Sequence, residues 1–512
     1  MPNQAANRKA SRGHFRVEFD GVLVFGGPVH IGTGDRLDVA TDAPILRYPS
    51  IDNQFVSGRP VLPGSSIRGV IADWCQREAE LLGVSPDAFD RLFGSTHVDV
   101  DRQGRLTVLD ASLAASRDIR DHVKLNPEWG AAAGRGKFDH ELALVETAVL
   151  RFIYEGDSAG DDELILLRAA VTAMQDGLLF FGAKGAWGFG RATLEQPQWR
   201  VVDRSATNVL SGWLLQRLDQ TYTMQVASPE WPQTKSHVAH KAGRSQPPKP
   251  WSWLSLVVDL RFDGPMLTAG PYDEAVRQAD EAQAKAVYAT DLNGRPILPG
   301  SSLRGVMSAH GKRILKSLRS RNSNVTRDLE DVDQALFGFV DEDAPDDVPN
   351  ARRSLLHVGE GRLVDQAGEE ISMAPDRDRV VLNHVAIDRV TGFAVDGKLF
   401  SAVALASPRF RTRLLVRWNA GNELHEAGVA LLLFVLRDMR ERLLWVGSRT
   451  TRGYGHLKDV TVAETRLSIV RAEPGATPTR HFEGDAPKDL LGIAGKMPEC
   501  VKAWRTLVEN VA

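Results

Sequence analysis

LPGSSIRGV spans Leu62–Val70, and LPGSSLRGV spans Leu298–Val306. Eight of nine letters agree, and the copies lie 236 positions apart (298 − 62). A phrase this long, repeated once, points to a duplicated unit. Three more landmarks recur in the same order. The opening FRVEFDGVLVFGGPVHIG (15–32) returns as WLSLVVDLRFDGPMLTAG (253–270); both are strand-like in pattern and both carry a Gly-Pro step. LFG stands at 92–94 and again at 336–338. GAKGAWGFGRATL (182–194) returns as GSRTTRGYGHLKD (447–459). The offset grows from 236 to 244 and then 265, as loop insertions in a duplicated domain would make it. A weaker pair, HVKLNPEWGAAAGRGKF (122–138) and HVAIDRVTGFAVDGKLF (384–400), reads as strand, glycine-rich tip, strand. That predicts a hairpin arm on each half.

A chain of 512 residues exceeds one ordinary core, so two or more domains are expected. The boundaries read as 1–14 disordered, 15–202 first domain, 203–252 linker, 253–465 second domain and 466–512 C-terminal extension. The linker holds the Pro-, Ser-, Lys- and His-rich SPEWPQTKSHVAHKAGRSQPPKPW. FVDEDAPDDVPNARR (339–353) reads as a solvated acidic insertion, and KMPECVKAWRTLVENV as a short terminal helix. With 43% hydrophobic and 25% charged residues the composition is that of a soluble globular protein. The net charge of −3 announces no nucleic acid, so any such site must be a local patch. Two cysteines, Cys75 and Cys500, exclude a disulfide framework and a cysteine-ligated zinc site, and suit a reducing cytoplasm. The segment MPNQAANRKASRGHF lacks the apolar core of a signal peptide, and no run of 18 apolar residues suggests a membrane span.

Each LPGSS phrase reads as a turn whose serines cap a helix, with Arg68 or Arg304 in the first turn. A helix N-terminus with Ser65, Ser66 and Arg68, or Ser301, Ser302 and Arg304, is also a ready phosphate site. Capping alone and phosphate binding are both open readings, and recurrence leans toward the second. The second helix adds Lys312 and Arg313 to a basic face. The glycine-rich phrases are neither a P-loop nor a dinucleotide fingerprint, since they follow a helix and lead into a strand. They read equally as tight packing loops or as backbone-approach loops for RNA, where Lys184, Arg191, Arg449 and Arg452 supply charge. No Ser/His/Asp set, HExxH or CxxC appears; Asp35, Asp38 and Asp42 cluster ahead of the first LPGSS. A carboxylate beside a phosphate track can hold a divalent ion or orient a 2′-hydroxyl; a solvated surface aspartate is the plainer reading.

The series VHIGTGD, TDAPILRYP, LPGSSIRG, LFG, the hairpin and a terminal glycine-rich G-[FY]-G resembles the CRISPR-associated RAMP superfamily. More narrowly, it is similar to the backbone subunits of type III effector complexes, the Cas-seven family, fused in tandem as in type III-D-like systems. The resemblance implies an α+β fold: two ferredoxin-like, RRM-like domains, each with a β-hairpin thumb. It implies guide RNA, single-stranded target RNA and other RAMP and effector subunits as partners, with no membrane. It assigns RNA contacts to His30, Ser65, Ser66, Arg68, Ser301, Ser302, Arg304, Arg449 and Arg452, and the charge reading adds Lys184, Arg191, Lys312 and Arg313 as RNA-contact candidates. It assigns thumb contacts to His122, Lys124, His384 and Arg389, and puts Leu267 where the first half has His30. Target-cutting members carry a loop aspartate in the context met here as TDAPIL, which makes Asp42 the catalytic and metal-binding candidate, with Mg2+ or Mn2+ as cofactor. Setting AKAVYATDLNGRPILPG on the first half puts Ala284 opposite Asp42, so one cutting site is expected. The expected activity is metal-dependent cleavage of target RNA. A non-catalytic guide-binding scaffold is the alternative, and a metal-free guide-processing ribonuclease the third.

Overall fold

The computed structural model describes residues 15–33, 43–47, 58–97, 100–125, 132–158, 160–203, 250–268, 284–291, 293–318, 323–340, 351–372, 378–471, 479–483 and 487–509. The segment 1–14, most of the 203–252 linker and the middle of the acidic insertion, 341–350, lie outside them.

The first half opens with β1 (Phe15–Phe25), whose burial alternates residue by residue, with Phe15, Val17, Phe19 and Leu23 on the covered face. That is the signature of a strand with one face against a core. Helices α1 (Gly64–Glu78) and α2 (Pro86–Phe93) follow, then β2 (Leu106–Val108). A long hairpin, β3 (Ala115–Leu125) and β4 (Ala132–Val145), projects before β5 (Thr147–Gly156), α3 (Asp162–Gln175) and β6 (Ala192–Asp203). The antiparallel sheet runs β6-β1-β5-β2. With the hairpin set aside, this is a β-α-β-β-α-β chain in the order fourth, first, third, second, which is the ferredoxin-like arrangement.

The second half repeats it. β7 (Trp251–Phe262) leads to α4 (Gly300–Ser317) and α5 (Ser323–Phe337), then β8 (Leu356–Val358) and β9 (Gly361–Leu363). A second hairpin, β10 (Arg379–Ile387) and β11 (Ala394–Ala406), precedes β12 (Arg409–Asn419), α6 (Glu423–Arg440) and β13 (Leu457–Arg471). The order is β9-β12-β7-β13, with β8 also on β12. The hairpins share one register: His122 faces Phe138 and His384 faces Phe400. The expected thumbs are present, each inserted between the second and third strands of its sheet.

The boundary at 465/466 falls inside β13, so the C-terminal extension continues the second domain. Its strand β14 (Thr479–Glu483) joins the sheet edge, and its helices α7 (Leu490–Gly495) and α8 (Pro498–Glu509) cover α6, with Trp504 4.9 Å from Phe434.

Nearly all of β7 is buried, on both faces. One face meets the helices of its own half; on the other, Trp253 and Leu415 belong to the first half's core cluster. The two halves therefore share a packed seam, tied by Arg480–Glu78 (2.9 Å), Arg353–Asp73 (3.1 Å), Arg466–Asp176 (3.5 Å) and a buried pair between Arg120 and Glu360. Gly300 sits in the seam: a Cβ there would lie 2.5 Å from the Trp187 carbonyl and closer still to that of Val358. Gly→Ala normally stabilises a helix by about 1 kcal/mol. Here the overlap reverses the sign, and Gly300→Ala is expected to cost about 1–3 kcal/mol in a urea titration. A gain in stability would show that the helix start does not approach the Val358 and Trp187 carbonyls in solution.

Candidate nucleic-acid interface

The two LPGSS phrases fold alike. Pro63 and Pro299 hold the N-cap positions, and neither helix start has a side-chain cap. This corrects the capping expectation. The helices begin at Gly64 and Gly300, one residue before the serines, because only glycine can approach the neighbouring strand there: a Cβ on either would overlap the carbonyl of Val108 or Val358. The Gly64 N–H donates to Asp110 Oδ1 (2.7 Å). Ser65 is exposed, and Ser66, Ser301 and Ser302 are half-buried within the first turn. Arg68 and Arg304 fall in the second turn rather than the first. Each donates to the carbonyl of its own LFG phenylalanine, Phe93 or Phe337. That bond satisfies an open carbonyl at the end of α2 or α5 and explains why the two landmarks travel together. Lys312 pairs with Asp333 (3.7 Å), while Arg313 is exposed.

Asp42 lies outside the described residues, as do 34–41 ahead of it, but the segment that follows it does not. The segment from Ala43 is pinned on two sides: Leu46 N–H donates to the Ile31 carbonyl (2.7 Å), next to His30, and Glu141 N–H of β4 donates to the Ala43 carbonyl (3.0 Å). The fully buried carboxylate of Glu141 takes the Ile45 N–H (3.0 Å), Arg117 (2.6 Å) and Arg47. Its carbonyl accepts from His30 Nδ1 (2.9 Å). Burial lowers the His30 pKa, partly offset by that bond, so the ring is neutral with Nε2 left as an acceptor. Nothing in the sequence patterns singles out Glu141; a lone acid inside the apolar run ELALV is the only trace.

Equivalent hydrogen bonds align the halves better than counting does. Ala183 donates to the His30 carbonyl (2.8 Å) and Ser448 to that of Leu267 (2.7 Å), which makes His30 and Leu267 structural counterparts. Leu46 bonds Ile31 as Ala289 bonds Thr268, and Val61 bonds Leu46 as Ile297 bonds Ala289. Leu46 therefore matches Ala289, and the following loop is seven residues longer in the first half (61 − 46 = 15; 297 − 289 = 8). Stepping back four residues from each sets Lys285, not Ala284, opposite Asp42. The second half lacks a carboxylate there either way.

The glycine-rich loops share one geometry and differ in setting. Lys184 (φ 61°) and Gly188 (φ 83°) bracket a short helical turn in the first; Arg449 (φ 60°) and Gly453 (φ 85°) do so in the second. The first loop packs into the seam, where a Cβ on Gly188 would lie 2.6 Å from the Val358 carbonyl. Gly453 has nothing within 4 Å. Lys184 Nζ stands 4.9 Å from the Trp187 ring centre, and the open loop sets Arg449 and Arg452 over Phe400 at 4.9 and 5.3 Å. Two guanidiniums against one aromatic ring form a surface that meets both phosphates and bases. Arg191 is different: it is half-buried toward the seam, and desolvation with repulsion from Arg413 lowers its pKa to about 10.

Along the thumbs, His122 stacks with Phe138 (5.5 Å) and lies tilted against Trp187 (5.0 Å), and burial, then Arg120, takes its pKa down to about 4. It is a neutral packing residue at physiological pH. His384 Nε2 bonds the Tyr454 hydroxyl (2.8 Å). Lys124 and Arg389 are exposed along the thumbs. Among the described residues no group of three His, Cys, Asp or Glu is placed to hold a metal ion, and no helix is long and apolar enough to cross a membrane.

No curated protein matches the chain. The model of the RAMP superfamily matches residues 23–193 and 259–458, one stretch in each ferredoxin-like half, and the chain belongs to that superfamily, with the CRISPR-associated RNA-binding role it carries.

Proposed function

We propose that the chain is a double backbone subunit of a type III CRISPR effector complex, similar to type III-D-like fusions. It holds guide RNA and single-stranded target RNA beside other RAMP and effector subunits, and cuts the target once, at Asp42. The observation that carries this reading is the asymmetry of two otherwise matched halves: a carboxylate in TDAPIL on the first, Lys285 at the matching position on the second. Specificity comes from guide–target pairing, with the protein reading backbone and shape. The open Arg449–Arg452–Phe400 surface suits a backbone with unstacked bases.

In the cutting step the 2′-hydroxyl of a displaced nucleotide attacks the adjacent phosphorus in line. A 2′-O–P bond forms, the P–O5′ bond breaks, and the products are a 2′,3′-cyclic phosphate and a 5′-hydroxyl. Asp42 orients this geometry from a loop whose exit is fixed by Glu141. A loop carboxylate with phosphate oxygens and water is a ligand set that Mg2+ or Mn2+ accepts. Such an ion, when bound, supplies charge neutralisation at the phosphate.

The test is to purify the complex, sequence its RNA, and incubate it with labelled target in Mg2+ and then in EDTA. Guide-length RNA and one metal-dependent cut per chain are expected. Guide-length RNA with no cut by this chain would favour the scaffold reading. Metal-free cutting of precursor repeat RNA would replace both with a processing enzyme.

A further inference from the structure

The first thumb is anchored across the seam, and the second is not. The hairpins share one register, so Asp118 and Arg120 on β3 match Val380 and Leu382 on β10. Val380 and Leu382 pack against Leu267, Ala402, Ala404 and Tyr454 of their own half. The first thumb places charge at the same positions. Asp118 and Arg120 are each 6% exposed, and Arg120 Nε donates to Asp118 Oδ2 (2.7 Å). Arg120 Nη1 crosses the seam to the carboxylate of Glu360, in the turn between β8 and β9.

The line continues into the second half. Arg362 lies 2.9 Å from Glu360 and donates to Asp291 (2.9 Å), which also accepts from Arg295 Nε (2.7 Å). Asp291 opens the short loop that leads into the second LPGSS phrase, and it takes the Asn293 and Arg295 N–H groups as well (both 3.0 Å). Cations and carboxylates thus alternate from the first thumb to that loop. Burial works against the Arg120 charge, but Glu360 and then Asp118 outweigh it and hold the pKa above the ordinary arginine value. A buried pair is weak evidence for stability, since apolar residues of the same volume often serve as well. What the pair supplies and a leucine does not is direction: a planar guanidinium held between two carboxylates has a fixed orientation.

Successive residues of a strand point to opposite faces. On one face of the thumb base, Arg117 reaches Glu141, which holds the Ile45 N–H at the exit of the Asp42 loop. On the other face, Asp118 and Arg120 reach the second half. The base of the first thumb is therefore a plate with the loop exit on one side and the neighbouring half on the other.

We propose that Arg120 and Glu360 are positioning residues: through them the second half, which has no carboxylate opposite Asp42, sets the orientation of the first thumb and so the phosphate at which the first half cuts. The link to cutting rests on the function proposed above; the hold on the thumb does not.

Glu360→Gln removes the anion and keeps the volume. A second variant, Asp118→Val with Arg120→Leu and Glu360→Gln, gives the first thumb the residues of the second and leaves none of these positions charged. Each is compared with wild type by circular dichroism to confirm folding, then by amide hydrogen exchange of the whole chain without RNA. Exchange is expected to rise about tenfold in 115–125 and 132–145 and to stay unchanged in 379–387 and 394–406. In the assembled complex the Asp42-dependent cut is expected to slow about tenfold at unchanged target affinity, with new cuts at neighbouring phosphates. Unchanged exchange in the first thumb of the folded variants overturns the proposal. A loosened first thumb with a wild-type cut pattern overturns it too. A wild-type complex that makes no cut overturns the function proposed above, while a loosened first thumb still upholds the hold exerted by the second half.

Discussion

Replacing Asp42 by alanine is expected to remove one target-cleavage product from the assembled complex while guide and target binding persist. The size of the loss follows from what the carboxylate does. An interaction made only in the transition state shows in the rate of the chemical step, and removal of one such group costs on the order of 10²–10³-fold. Pairing between guide and target does not involve a loop carboxylate, so affinity stays. Asp42→Asn keeps the shape and loses the charge, and is expected to be nearly as inactive. The second half supplies the control within the same chain. Lys285 stands opposite Asp42, so Lys285→Ala leaves the product pattern unchanged. A complex of Asp42→Ala chains that still makes every product would remove Asp42 from the chemistry.

Much of this architecture can be read without coordinates, for a physical reason. The repeated phrases are where backbone crowding leaves little freedom of residue type. Gly64 and Gly300 start helices against a strand carbonyl, and Gly182 and Gly447 approach the carbonyls of His30 and Leu267. Positions with such constraints stay alike while the rest diverges, so the halves, thumbs and loops are legible. What the phrases do is less so. Serine before a helix suggests a cap, but proline took that position and the crowding glycine started the helix one residue sooner. Arg68 and Arg304 look free in one dimension, yet each reaches an LFG carbonyl 25 or 33 residues away. The loop ahead of LPGSS differs by seven residues between halves, so a count back from LPGSS cannot carry Asp42 across, and the hydrogen-bond pairing sets Lys285, not Ala284, opposite it. The seam was not legible at all. Arg120, Glu360, Arg353 and Arg417 meet across long separations and carry no local pattern.

Glu141→Ala is expected to have the largest effect on stability. The carboxylate is fully buried and serves Arg47, Arg117 and the Ile45 N–H together. Removing the shared carboxylate from a buried ion cluster takes away the charge that the cluster is built on, at a cost of about 3–5 kcal/mol. Arg117 is about two-fifths exposed, so water screens its share and most of the penalty falls on Arg47, whose side chain is 8% exposed. Glu141→Gln keeps the volume and one acceptor, and is expected to lose about half as much. Urea titration of both variants gives the two numbers. Glu141 also joins His30, the thumb base and the exit of the Asp42 loop, so its loss acts on chemistry as well as on folding. Below the unfolding transition, Glu141→Ala complexes should retain guide RNA and lose the product that Asp42→Ala loses. Restored cutting in Glu141→Gln, where the Ile45 N–H regains an acceptor, would separate loop positioning from charge. A Glu141→Ala chain as stable as wild type and still cutting would mean that the loop is held by other contacts, and that the carboxylate opposite Lys285 is placed without this anchor.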